Sequence, residues 1–167
     1  EFQNLVKEWQ DKTTSSSHND LGQTQEHITK TYTIAMKALP SGVYEVPCKI
    51  NDLPLKFILD TGASDVTISS TDAKFMLKNN YLHSQDIIGK RRYLTASGDI
   101  IEGTKIKLRK IQIGELELRN VEASIVHNQD APLLLGQSVL KRLGRYNIDS
   151  SKSILTIMTS ESLIRTQ

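Results

Sequence analysis

The sequence predicts an all-β fold, a closed barrel with one short helix near the C-terminal end, and three observations carry that prediction. Short apolar runs with strand alternation recur from Val43 to Met158. Turn-forming residues divide them, at Asn51-Asp52, Ser97-Gly98-Asp99 and Gly114. Helix signals are few and brief, so no helical layer is available to cover an open sheet, and closure is the simpler way to bury the strands.

Taken in chain order, Glu1 to Gln10 reads as a short helix, and Asp11 to Gln25 as a linker rich in Ser, Thr, Asn, Asp and Gln. Lys30 to Leu39, with Tyr32, Ile34, Met36 and Leu39, reads as an added strand. The expected organisation is an N-terminal arm or linker, partly flexible, over 1–40, one folded domain over 41–160, and a tail over 161–167. The arm is either a removable pro-segment or a segment that packs on the domain, and the second reading needs fewer assumptions. The first residue is Glu1 and not methionine, so an upstream signal or anchor is part of the expectation.

Val43 to Ile50 alternates, Asn51-Asp52 turns, and Leu53 to Leu59 returns: a hairpin that ends on Asp60. Val66-Thr67-Ile68 is a short strand. Ser70-Thr71-Asp72 offers capping side chains for a helix over Ala73 to Lys78. Asn79 to Lys90 reads as irregular, and Lys90-Arg91-Arg92 as a solvated loop. Further strands are expected at Arg92 to Ala96, Ile100 to Leu108, Ile111 to Ile113, Leu116 to Leu118 and Val121 to Val126. The late helix is Ser138 to Leu143.

Composition narrows the function. A chain of 167 residues that is 38% hydrophobic can bury one domain-sized core. No apolar run approaches the roughly 18 residues of a membrane helix, so no direct membrane insertion of these residues is expected. Net charge is only +2, and the basic residues are scattered with little aromatic interleaving, so no nucleic-acid partner is expected. Cys48 is the single cysteine, on the inward face of a strand with Tyr44, Val46 and Ile50, which reads as a buried structural thiol. His18, His27, His83 and His127 lack metal-ligand spacing, so neither a metal site nor a cofactor is expected.

The chemistry concentrates at Phe57-Ile58-Leu59-Asp60-Thr61-Gly62-Ala63-Ser64. A carboxylate at the end of an apolar run is costly unless it shares its proton or finds a partner. Two such acids facing each other cannot both ionise, which leaves one as base and one as acid. Asp-Thr-Gly occurs once here, so the second acid must be Asp60 of another copy of the chain across a two-fold axis. Gly62 permits a tight turn that brings its N–H to the carboxylate. Leu133-Leu134-Leu135 reads as a buried strand behind this loop, with Gly136 allowing close backbone approach.

The Asp60 triplet, followed downstream by Ala131-Pro132-Leu133-Leu134-Leu135-Gly136-Gln137-Ser138-Val139-Leu140 and then by Gly144 to Asp149 and Ser153 to Ile157, resembles the retropepsin-like, single-lobed aspartic proteases. The resemblance covers roughly Gly42 to Met158, and the chain is similar to bacterial members. It implies that Asp60 is catalytic and that Thr61, Gly62 and Ala63 complete the active-site loop. It also implies that the Thr61 hydroxyl braces the partner's loop. Ser64 and Asp65 stand where relatives bind substrate backbone, although retroviral members tend to carry an acid where Ser64 stands. Thr95, Ala96, Ser97 and Gly98 resemble the flap that covers a bound peptide.

The resemblance implies a homodimeric aspartic endopeptidase that acts on extended protein or peptide segments. The alternatives are a catalytically weak or inactive dimeric peptide-binding module of the same fold, and a scaffold that docks through its N-terminal arm. Bacterial relatives imply an exported, periplasmic or membrane-anchored location.

Overall fold

A computed structural model describes residues 28–160. The expected helix at Glu1 to Gln10, the linker, His18, His27 and the tail lie outside the described residues. Eleven strands and two helices follow in the order β1 (Thr29–Ala35), β2 (Lys37–Ala38), β3 (Tyr44–Ile50), β4 (Leu53–Leu59), β5 (Val66–Ser69), α1 (Ser70–Lys78), β6 (Ile87–Leu94), β7 (Ile100–Ile113), β8 (Leu116–Val126), β9 (Leu134–Leu135), α2 (Gln137–Leu143), β10 (Arg145–Asp149) and β11 (Ile154–Ser160). A 3-10 turn over Ser84–Asp86 precedes β6.

Eight strands form one sheet in the order β2-β3-β4-β9-β5-β8-β7-β6, and β3 also pairs with β7. Six strands therefore make a closed circuit of pairings, from β3 through β4, β9, β5, β8 and β7 back to β3, with β6 added outside it. Alternate residues point inward: Val46, Cys48 and Ile50 on β3, and Ile106 and Leu108 on β7, are all buried. The opposite phase on β7 is wetter, and Lys105 there pairs with Glu122 of β8. The hairpin turn at Asn51-Asp52 has φ of 48° and 73°, the left-handed geometry that Asn and Asp tolerate better than most residues.

A separate three-stranded sheet has the order β1-β11-β10. β1 pairs with β11 along its length, from Thr29 opposite Ser160 to Ala35 opposite Ile154, so this sheet draws on both sides of the residue-40 boundary. β11 is its central strand. Both edges of β11 are taken by strands of its own chain, so Ile154 to Met158 pairs within the subunit.

Several boundaries also move. Ile87 to Lys90 is strand and not irregular, and Lys90-Arg91-Arg92 lies exposed within β6 and not in a loop. The strands expected at Ile100 to Leu108 and Ile111 to Ile113 are one, β7, and those at Leu116 to Leu118 and Val121 to Val126 are one, β8. The cause is mutual: β7 and β8 pair in constant register from Gly103 opposite Val126 to Ile113 opposite Leu116, which carries both through their polar centres. The cap of α1 is Ser69, one residue before the expected set; its Oγ accepts from the Asp72 N–H at 3.0 Å.

Cys48 is buried, and burial pushes its thiol up to about 12. It is expected to ignore Ellman's reagent at pH 8 in the native protein and to react once urea unfolds it. The unfolded thiol ionises near its ordinary 9.0 while the folded one holds its proton to about 12, so this linkage costs nothing below pH 8. Between those values it removes about 1.4 kcal/mol of stability per pH unit. Urea midpoints at pH 8 and 10 for wild type and Cys48→Ala isolate it, since the lost packing of the buried sulfur is the same at both pH values and cancels in the difference.

Candidate active site

β4 delivers Asp60 to the end of the barrel, and parallel pairing with β9 sets its height: Ile58 opposes Leu134, and Leu59 opposes Leu135. The Ile58 N–H donates to Leu133 O at 2.7 Å, and the Asp60 N–H donates to Leu135 O at 3.1 Å. Leu135 is wholly buried. The acid is therefore held by backbone on its inner side, whatever its side chain does.

The loop then folds back on its own carboxylate. The Gly62 N–H donates to Asp60 Oδ1 at 2.9 Å, and the Ala63 N–H donates to Asp60 O at 3.2 Å. Helix α2 grips the other side. Its first two N–H groups, which have no partner inside a helix, donate to the loop: Gln137 N to Ala63 O and Ser138 N to Ser64 O, each at 2.8 Å. The Gln137 side chain adds a bond from Nε2 to Thr61 O at 2.7 Å, and Ser138 Oγ accepts from the Val66 N–H at 3.1 Å. This contact is possible because Gly136 has no side chain; a Cβ there would lie 2.3 Å from Asp65 O and 2.7 Å from Ala63 O.

Asp60 is half-buried, while Thr61, Gly62 and Ser64 are exposed. A cleft of about 520 Å³ runs along Gly62 to Asp65 and the exposed side of α2, including Lys141 and Arg142. A more apolar cavity of about 380 Å³ lies along β3 and β4, beside Pro47, Cys48 and Leu55, and is lined by no residue of the Asp60 loop. The first borders the Asp60 loop, although Asp60 itself lines neither. Among the described residues no group of three His, Cys, Asp or Glu side chains is arranged to hold a metal ion.

Thr95, Ala96, Ser97 and Gly98 form the tip of the β6–β7 hairpin. Thr95 N donates to Asp99 O at 2.8 Å, and Thr95 Oγ1 and Ser97 Oγ lie 2.9 Å apart, so the tip is braced by its own bonds. Beside it Leu94 and Ile100 face each other across the hairpin, 75% and 67% exposed. The hairpin's link to the Asp60 loop is lower down. Tyr93 Oη sits 2.6 Å from Ser124 Oγ, which donates to Asp65 Oδ2 at 3.1 Å.

Gln137, Ser138, Ser124 and Tyr93 were not among the residues singled out from sequence. Gln137 and Ser138 directly follow the Leu-Leu-Gly element, which is a usable signal. Ser124 interrupts the short apolar stretch Ala123 to Val126 and is 3% exposed. Tyr93 offers no local signal.

Residues 46–142, more than half of the chain, match the family described as "gag-polyprotein putative aspartyl protease". An uncharacterized protein of Rickettsia prowazekii is 34% identical over 116 residues, 68% of this chain and 47% of that protein. The human protein DDI1 homolog 2 is 27% identical over 147 residues, 83% of this chain but 34% of its own length. The chain thus spans less than half the length of these curated relatives. Among solved structures, a retropepsin-like aspartic protease from Rickettsia conorii aligns with a TM-score of 0.57 and 28% identity, over 76% of this chain and 98% of that one. No helix among the described residues is long and apolar enough to cross a membrane. Motif, fold and relatives agree, and the chain belongs to the retropepsin-like aspartyl protease family.

Proposed function

We propose that the protein is an aspartic endopeptidase whose active site forms when two copies bring their Asp60 loops together. The observation that carries this reading is a single, half-buried Asp60 held from below by β9 and from the side by α2, in a chain that has no second Asp-Thr-Gly. One carboxylate is half of a general acid–base pair; a two-fold axis supplies the other half without any further sequence.

In the dimer the two Asp60 carboxyls share one proton. The ionised one takes a proton from water as the water oxygen attacks the peptide carbonyl carbon. The protonated one gives its proton to the carbonyl oxygen. The resulting diol collapses as a proton passes to the amide nitrogen and the C–N bond breaks. A carboxylic acid and an amine leave, and the dyad regains its shared proton. No covalent enzyme intermediate is needed. Ser64, Asp65 and the tip Thr95 to Gly98 border the extended substrate in this reading.

Denatured casein incubated with the protein from about pH 3.5 to 7.5 tests it. Cleavage that pepstatin blocks, rising faster than linearly with protein concentration while sedimentation shows a monomer–dimer equilibrium, is the expected result. A confirmed dimer that binds peptides and cleaves none overturns the enzyme reading in favour of a peptide-binding module.

A further inference from the structure

We infer that Tyr93, Ser124 and Asp65 form a tie that anchors the root of the β6–β7 hairpin to the Asp60 loop, and that Tyr93 and Ser124 are positioning residues for substrate. Its kinetic consequences rest on the endopeptidase reading; the tie itself does not.

The tie spans three strands and a loop. Tyr93 stands on β6, and its ring crosses β7 to reach Ser124 on β8, which in turn reaches Asp65 just before β5. Crossing β7 needs room, and Gly103 supplies it. A Cβ on Gly103 would lie 2.7 Å from Tyr93 Cε2 and 2.9 Å from Ile125 O, so no other residue fits under the ring without moving it. In register, Gly103 opposes Arg91 and Tyr93 opposes Ile101, which makes Tyr93 and Gly103 diagonal neighbours on one face, within reach of an aromatic side chain.

Hydrogen-bond direction follows from the inventory of protons. An ionised Asp65 only accepts, so Ser124 spends its one proton there, and the phenol must donate to Ser124. A buried serine that lost either neighbour would be left with unmet hydrogen-bonding capacity, so the three groups act together.

Position gives the tie its effect. Leu94, the residue after Tyr93, begins the exposed tip with its cross-strand partner Ile100. The tie therefore marks where the hairpin stops being fixed and starts being free. Without it, the next irregularity toward the base of the hairpin is the bulge between Ile87 and Gly89, and a longer lever would have to be ordered over each substrate. That cost falls on binding more than on the chemical step.

Tyr93→Phe, Ser124→Ala and the double variant test this, with steady-state cleavage of a casein-derived peptide and with hydrogen exchange of the amides from Ile87 to Ile106 in the full chain. Tyr93→Phe keeps the ring and removes one hydroxyl, so it should fold even where Ser124→Ala does not. Expected are a KM raised about 3- to 10-fold with kcat within about twofold, a double variant no worse than the poorer single one, and faster exchange at 90–93. Wild-type KM and exchange in Tyr93→Phe, or additive effects in the double variant, overturn the tie. Uniformly lower thermal stability with KM unchanged makes it structural only and also overturns the positioning role. If wild type cleaves nothing, the endopeptidase reading falls; exchange at 90–93, faster or unchanged in Tyr93→Phe, then decides the tie alone.

Discussion

Asp60→Asn is expected to fold, to dimerise and to lose about four orders of magnitude in peptide hydrolysis, the scale set by removing a positioned acid and base together. Asn is nearly isosteric with Asp and keeps an oxygen for the Gly62 N–H, while the backbone bonds from Asp60 to Leu135 and Ala63 do not involve the side chain. What it cannot do is take a proton from water. Mixing adds a sharper result: with random pairing of equal amounts, only about a quarter of dimers carry two wild-type loops, so activity should fall to about that fraction, below the half expected of independent monomers. Activity in Asp60→Asn equal to wild type would sink the mechanism. A mixture retaining half the activity would show that one chain suffices.

Gly136→Ala carries the largest expected loss of stability, about 3 kcal/mol or more. The new methyl would meet two backbone oxygens, Asp65 O at 2.3 Å and Ala63 O at 2.7 Å, and neither can rotate away as a side chain could. Either α2 withdraws from the loop or the loop withdraws from α2. Both break the bonds from Gln137 and Ser138 to Ala63 and Ser64, so activity should fall with stability. Gly62→Ala is the instructive contrast, because its Cβ would meet only Asp60 Oδ1, at 3.3 Å. That side chain can yield, so Gly62→Ala should unfold close to wild type while its turnover drops. Urea midpoints and casein cleavage for the two variants separate the effects, and a wild-type midpoint for Gly136→Ala would show that α2 does not hold the loop as described.

Much of this arrangement was legible because its causes are local. The β3–β4 hairpin follows from alternation on either side of Asn51-Asp52, and each of those two residues tolerates the left-handed backbone the turn requires. Asp60 was conspicuous because a carboxylate interrupts an apolar run, and Gly136 because a glycine ends one. The buried phase of β3, including Cys48, was equally plain. Continuous β7 and β8 were not, since residues such as Arg109, Lys110 and Asn120 look like interruptions until a partner strand passes alongside.

The chain by itself therefore determined the all-β class, the hairpin that ends on Asp60 and the single occurrence of Asp-Thr-Gly, all of which depend on residues adjacent in sequence or on counting motifs. Tertiary structure alone decided what grips the loop: α2 through Gln137 and Ser138, β9 through Leu135, and the Tyr93–Ser124–Asp65 tie, whose members are 31 and 59 positions apart. It also decided that β11 is a central strand with both edges taken. The physical reason is the same in each case. A hydrogen bond between distant segments is specified by the register of the strands that carry them, and register emerges only when the whole barrel closes.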